Sequence, residues 1–371
     1  MNISADTIWL EINLGAIRRN VERLHKIAGN IVMAVVKANA YGHGLVEVTR
    51  AALKGGAERL GVARFEEALA LRLAGIDAPI LVMGYTSPEH AANAARLKIC
   101  LAVYNRDAAQ AYARALTGER TPLRLHVKVD TGMGRLGVFP EEAVEFIRQV
   151  RMQNNLLVEG LFTHFSSADH VDTTVTDLQI SRFNKVIADL AATGFKPPMI
   201  HASNSAGILR YPQAAYDMVR PGIAIYGLHP SDQVQLPEDF EPALTWKTRI
   251  VSIKTMPPGS GIGYGRRYIT RKHERVGVIA AGYADGLRRR LGNVALVNGK
   301  RVYQVGGLCM DQTMFNLDAV PDAKPGDEVV LLGKQGEEHI NAEEIGASWD
   351  TINYEVVCGL AARVPRYYFD E

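Results

Sequence analysis

Cysteine is scarce: the 371 residues hold three, Cys100, Cys309 and Cys358, far apart and without a CxxC pair. That argues against a disulfide framework or a thiolate metal cluster and fits a reducing compartment. An excess of one charge is also lacking. The 42 basic and 40 acidic residues leave a net charge of +2, so no bulk attraction to nucleic acid or an anionic membrane is expected. No uninterrupted apolar run approaches the roughly 18 residues of a bilayer span. The opening MNISADTIWLEINLG has no basic stretch leading into an apolar one, so no signal peptide is expected. HExxH, P-loop and GxSxG patterns are absent, as are low-complexity tracts. What is present is an ordinary folded composition, 47% hydrophobic and 22% charged, long enough for about two domains. A soluble, cytoplasmic protein is the expectation.

The order of apolar runs gives the organisation. After a short strand at 7–12, Asn13 is placed to cap a helix whose Ile17, Val21, Leu24 and Ala28 keep the helical period. Eight short apolar runs follow, at 31–36, 60–63, 79–84, 99–104, 123–129, 157–162, 199–201 and 216–219. Between most of them lie Ala-rich helical stretches, at 45–53, 65–74, 89–97, 107–116, 141–150 and 174–192. Such alternation implies a parallel sheet. Eight units in about 200 residues fit a (β/α)8 TIM-like barrel better than an open sheet. The texture changes near residue 235, where 229–242 holds three prolines and four acidic residues. Beyond it, β-branched runs at 249–254, 275–280, 294–297, 301–305 and 328–332 are separated by turn signals such as Asn298-Gly299 and Pro325-Gly326. The expected fold class is α/β, with a barrel over 1–235 and a mostly β domain over 236–371 that carries a short helix near 342–347.

The apolar run 31–36 leads into Lys37, at the end of a barrel strand where barrel active sites lie. Apolar walls disfavour the ammonium form of a lysine, which suits Schiff-base chemistry; a solvated lysine leaving a strand is the other reading. Gly132-Met-Gly134-Arg-Leu-Gly137 is formally GxGxxG. The dinucleotide fingerprint, however, needs its third glycine inside the opening helix, and Val138-Phe139-Pro140 intervene before the helical pattern begins. The segment reads as a loop. His43, His126 and His201 have no ligand companions at helical spacing, so no metal site is expected.

The segment Lys37-Ala-Asn-Ala-Tyr41-Gly-His-Gly44 resembles the cofactor-lysine motif of bacterial alanine racemases, pyridoxal-phosphate enzymes of fold type III. Similar motifs recur along almost the whole chain. They are His126-Val-Lys128-Val-Asp130-Thr-Gly-Met-Gly-Arg135, Gly160-Leu-Phe-Thr-His164, His201-Ala-Ser-Asn204-Ser205, Met218-Val-Arg220-Pro-Gly222-Ile223, Gly263-Tyr264-Gly265, Gly282-Tyr283-Ala-Asp285, Cys309-Met310-Asp311 and Tyr354-Glu-Val. The resemblance implies a pyridoxal 5'-phosphate barrel with a C-terminal β domain, assembled as a homodimer with shared active sites. It implies an enzyme that interconverts L- and D-alanine, the D-alanine feeding peptidoglycan. A racemase of broader range that includes serine and a non-catalytic pyridoxal-phosphate carrier are the alternatives.

The same resemblance assigns roles. Lys37 holds the cofactor and is one acid–base group, and Tyr264 is the second, reaching the partner subunit's site. Racemisation needs groups on opposite faces of Cα, and a tyrosine base needs cationic neighbours, for which His164 and Arg220 are the candidates. Tyr41, Asn204, Ser205, Gly222, Ile223 and Tyr354 lie around the phosphate, with His164 also beside the cofactor. Arg220 faces the pyridine nitrogen; it donates without protonating that atom and so restrains carbanion delocalisation. Arg135 clamps the substrate carboxylate with the Met310 N–H, and Lys128 is a candidate for carbamylation. Taken one by one, other readings stay open: Ser205 as a helix N-cap, Tyr41 and Tyr354 as surface or core tyrosines, Arg220 in an ion pair, Tyr264 in a turn, Lys128 paired with Asp130. Gly307 stands where many relatives carry an arginine, which bears on the entrance to the site and on selectivity.

Overall fold

The computed structural model describes residues 5–371; Met1–Ser4, the first positions of the expected 1–235 unit, lie outside the described residues. Two compact units account for the chain. One comprises Ala16–Ala40 and Leu45–Glu241; the other comprises everything described up to Gly15, together with Tyr41–Gly44 and Pro242–Glu371.

An opening strand β1 (Ile8–Asn13) precedes eight short strands that close a parallel barrel. These are β2 (Ile31–Val35), β3 (Arg59–Val62), β4 (Ile80–Val82), β5 (Ile99–Val103), β6 (Leu123–Lys128), β7 (Leu156–Phe162), β8 (Met199–His201) and β9 (Met218–Val219). Closure comes from β9 pairing with β2, Ile31 opposite Met218 and Val32 opposite Val219. The strands are nearly continuous apolar runs because helices cover one face and the barrel interior the other. Met33, Leu81, Cys100, Met199 and Met218 pack as one buried cluster, where truncating a single large side chain costs about 2–5 kcal/mol. The eight runs seen in the sequence are these strands, with ends differing by one or two residues. The helices also follow the expected places. The helix Arg106–Ala115 starts where Asn105 Oδ1 accepts the Ala108 N–H at 2.7 Å, and Thr174–Ala192 matches its expected span. The stretch 89–97 divides into a single 3-10 turn, Pro88–His90, and a helix Ala91–Arg96.

The second unit is built on strands β10 (Leu244–Met256), β11 (Gly261–Ile262), β12 (Tyr268–Ile269), β13 (Glu274–Ile279), β14 (Val294–Val297), β15 (Lys300–Gln304), β16 (Thr313–Asn316), β17 (Glu328–Gln335), β18 (Glu338–Ile340) and β19 (Arg366–Phe369). Nine strands form one sheet in the order β18-β17-β14-β15-β16-β13-β10-β1-β19. The expected boundary at 235/236 therefore needs a correction: β1 belongs to this sheet. It lies antiparallel to β10, with Trp9 opposite Lys247 and Ile12 opposite Leu244, and parallel to β19. Its apolar residues Trp9, Leu10 and Ile12 are buried there. Periodicity identifies a strand but carries no information on a partner more than two hundred positions away. Strands β16, β18 and β19 and the helix Asn353–Cys358 had no distinct signal in the sequence. No helix among the described residues is long and apolar enough to cross a membrane.

Candidate active site

Lys37 leaves β2 into an unusual backbone. Ala38 (φ 54°, ψ 51°), Asn39 (φ 55°, ψ 45°), Ala40 (φ 52°, ψ 54°) and Tyr41 (φ 52°) are all left-handed, and Gly42 follows at φ 84°. Each non-glycine residue in that region costs about 1–2 kcal/mol, so the turn persists only because its neighbours over-determine it. Glu67 is the main anchor. Its Oε1 accepts the Ala38 N–H at 2.6 Å, while Oε2 accepts those of Ala63 and Arg64 at 2.9 and 3.1 Å. Asn39 Oδ1 accepts the Leu45 N–H at 2.9 Å, and the Ala40 N–H bonds Val36 O. Ala-Asn-Ala-Tyr carries little to announce this turn; tertiary contacts impose it.

The ends of β6, β7 and β9 bring cations together. Arg220 is 3% exposed, and burial pushes its guanidinium down to about 9. Its Nη2 donates to Thr163 O and Ala202 O, both at 2.8 Å, and lies 3.2 Å from His164 Nδ1. Lys128 is 4% exposed; burial first, then Arg135, Arg220 and Lys37, bring its ammonium down to about 8. Asp130 does not neutralise this group by an ion pair. Its Oδ1 accepts the N–H groups of Gly132, Met133 and Gly134 at 2.8–3.1 Å, and Oδ2 accepts that of Arg135 at 3.2 Å. Burial would raise its carboxyl, but these donors outweigh it and hold it below the ordinary range. The formal GxGxxG is thus a loop wound on one carboxylate, and the next helix starts only at Pro140.

His164 is expected as a candidate cation; burial first, then the charges of Arg220, Lys128, Arg135 and Lys37, push its pKa well below the usual imidazole value.

After β8 and β9 the chain forms a cradle of donors. Asn204, not Ser205, caps the helix Ser205–Arg210, its Oδ1 accepting the Gly207 N–H at 2.9 Å. Ser205 lies inside the helix, buried, where its Oγ accepts the N–H of Gly222 at 2.9 Å and that of Ala224 at 3.3 Å. Ile223 opens the 3-10 turn Ile223–Tyr226. Asn204, Ser205, Gly222 and Ile223 therefore share one corner of the barrel.

The remaining expected residues lie in the other unit. Tyr41 is buried beside Tyr354, with ring centroids 6.2 Å apart, and burial raises its phenol pKa, Tyr354 and Cys358 adding to the rise. Gly42 is required there: a Cβ would sit 2.1 Å from Val357 O. Tyr264 is 69% exposed, in a turn entered through Gly263 at φ 68°. Met310 is 52% exposed. Its segment is bonded to the Gly282–Asp285 turn by the N–H groups of Tyr283 to Cys309 O and of Ala284 to Met310 O. Arg363 bridges Asp285 and Asp311, 2.7 Å from each. Two motifs separate in sequence are one structure. Gly307 has room for a side chain, since a Cβ there meets only Tyr264 O, at 3.5 Å.

Glu159 was missed in the sequence. Cys100, His126 and Glu159, on adjacent strands, offer ligand atoms within 4.8 Å of one another. Glu159 is already paired with Arg59 at 2.7 Å and Arg124 at 3.0 Å. Burial and Glu159 push the Cys100 thiol up to about 12. A protonated thiol and an arginine-compensated carboxylate leave little negative charge for a cation. A glutamate at an inward barrel position was the available signal.

Comparison with known proteins follows the same division. The family described as alanine racemase, N-terminal domain, matches residues 12–230, and alanine racemase, C-terminal domain, matches 243–368. An alanine racemase of Symbiobacterium thermophilum is 46% identical, over 98% of this chain and 97% of its own length. One of Geobacillus stearothermophilus is 44% identical, over 97% and 93%. The crystal structure of alanine racemase from Bacillus anthracis with bound L-Ala-P superposes with a TM-score of 0.94 at 39% identity, over 98% of this chain and 95% of that one.

Proposed function

Since the chain belongs to the alanine racemase family of pyridoxal-phosphate-dependent racemases, we propose that it interconverts L- and D-alanine with Lys37 and Tyr264 as the two acid–base groups. The observation that carries this reading is the buried excess of positive charge around Lys37: Lys128 and Arg220 almost fully enclosed, Arg135 close by, and two carboxylates of the neighbourhood, Asp130 and Glu67, spent on backbone N–H groups. Such a set suits two anions, a cofactor phosphate and a substrate carboxylate.

Bound pyridoxal phosphate would supply the electron sink that acidifies the substrate Cα–H. Lys37 would carry it covalently, its amine then moving a proton on one face of Cα. Asn204, Ser205, Gly222, Ile223, Tyr41 and Tyr354 would surround the phosphate. Arg220, a donor that does not release its proton at ordinary pH, would hydrogen-bond the ring nitrogen, with His164 beside it. Arg135 and the Met310 N–H would hold the substrate carboxylate.

Tyr264 and Met310, both largely exposed on their own unit, fit residues that work in the site of a partner subunit, hence a homodimer. Lys128, lowered to about 8, keeps more free amine near neutrality than an ordinary lysine. It is suited to take up carbon dioxide as a carbamate, which would turn one of four clustered cations into an anion. Supply of D-alanine for peptidoglycan in the cytoplasm is the corresponding role. The test is D-alanine formed from L-alanine by the purified, cofactor-loaded protein. Wild type should produce it and Lys37→Ala should not; a cofactor-bound wild type that forms none overturns the proposal.

A further inference from the structure

Within the barrel, four polar side chains form one column that runs from the C-terminal ends of β8 and β9 to the middle of β6 and β7. Arg220 Nη1 lies 2.9 Å from His201 Nδ1, His201 Nε2 lies 2.8 Å from His126 Nδ1, and His126 Nε2 lies 3.7 Å from Glu159 Oε1. The last contact is of ion-pair rather than hydrogen-bond length. Both histidines are wholly buried, and Arg220 and Glu159 nearly so. The slot is purpose-shaped: a Cβ on Gly160 would lie 2.2 Å from His126 Nδ1, and Phe162 stacks on His201 at 4.9 Å with 3° between the planes.

Donor and acceptor chemistry leaves one arrangement. A guanidinium only donates, so His201 Nδ1 accepts and the proton of that ring is on Nε2. This N–H must be given to His126 Nδ1, which puts the His126 proton on Nε2, facing Glu159. A second proton on either ring would set hydrogen against hydrogen. In keeping with that, burial lowers both imidazoles, Arg220 next for His201, while Glu159 only partly opposes the fall at His126. Arg220 has its Nη2 on two carbonyls and one Nη1–H on His201. Its Nε–H and second Nη1–H have no protein acceptor among the described residues.

We propose that Glu159 is a positioning residue: facing His126 Nε2, it favours the tautomers of His126 and His201 that leave His201 Nδ1 free to accept from Arg220, and so holds the guanidinium whose remaining N–H groups face the cofactor ring. The link to the cofactor rests on the racemase reading; the direction of the column does not.

The experiment uses full-length, cofactor-loaded protein with 15N-labelled histidine, His126 and His201 being assigned by substitution. Long-range 15N–1H correlation reports which nitrogen of each ring bears the proton, and both should be Nε2. In Glu159→Gln, the amide oxygen goes to an arginine and the amide N–H turns toward His126 Nε2. That reverses the column and sets a His201 Nδ1–H against Arg220. The His201 signals should move toward the other tautomer, and kcat should fall about tenfold or more, with the alanine KM within about threefold.

Arg124→Met removes an ion pair of Glu159 without touching the column and should leave the His201 tautomer as in wild type. Should Glu159→Gln fail to fold, Gly160→Ala breaks the column at His126 with both arginine pairs in place and should show the same losses. A wild-type His201 protonated on Nδ1, or a fall in kcat with the His201 tautomer unchanged in both variants, overturns the proposal. A wild type that makes no D-alanine but shows both rings protonated on Nε2 supports the column and overturns the racemase reading instead.

Discussion

Replacing Ala38 tests whether the turn after Lys37 is under strain. Ala38 sits at φ 54° with its side chain exposed, so a substitution there alters backbone preference and little packing. Its N–H bond to Glu67 survives any change but proline. An alanine in the left-handed region costs about 1–2 kcal/mol. Glycine removes that cost but gives up about 0.5–1 kcal/mol to its freer unfolded chain. Ala38→Gly should therefore stabilise by about 0.5–1 kcal/mol. Valine, β-branched and poorly tolerated at positive φ, should destabilise by about 2 kcal/mol or more. Urea unfolding of the cofactor-loaded protein reads both as midpoint shifts at constant slope. The opposite signs are the diagnostic. An Ala38→Gly protein with a lower midpoint, or an Ala38→Val protein with the wild-type midpoint, would refute the reasoning. Relaxing the turn should also loosen Lys37, so the more stable glycine variant is expected to be the slower enzyme.

Three further outcomes are expected. Tyr264→Phe should fold with an unchanged melting temperature, because the ring is exposed and in a turn, yet lose about 100-fold or more in racemisation; full rate in both directions would remove its role. Lys128, whose folded pKa of about 8 is below its ordinary value, binds fewer protons when folded than when unfolded. The wild type should therefore gain stability as pH rises from about 8 to about 10.5, by about 3–4 kcal/mol at most. In buffer free of carbon dioxide, Lys128→Met should lack that gain, and equal pH profiles would contradict the assignment. Ser205→Ala leaves the Gly222 and Ala224 N–H groups without their shared acceptor. It should weaken retention of pyridoxal phosphate about tenfold, read by dialysis and absorbance.

The limits of sequence reasoning show in particular residues. The barrel strands were legible because a strand buried on both faces must be apolar throughout, as β2 and β5 are, and composition records that directly. Lys37 stood out as the first charge after such a run, but its proposed role came from the motif's resemblance, since spacing alone left a solvated lysine open. The strand β1 was legible as a strand but not as part of the C-terminal sheet. His164 was named for the site, but the burial and four nearby cations that lower its pKa are properties of the assembled barrel.

By itself, the sequence determined the alternation of elements and the two-domain content, because local periodicity is a property of neighbouring positions; the candidate site residues were named from motifs that resemble the alanine racemase family. Tertiary structure decided the rest. It put four successive residues into the left-handed region after Lys37, wound 132–135 on Asp130, and gave β1 to the sheet of the second unit. It also lined up Glu159, His126, His201 and Arg220 from four strands or strand ends into a single column. Hydrogen-bond direction and charge state depend on what lies across the barrel, and no spacing along the chain encodes that.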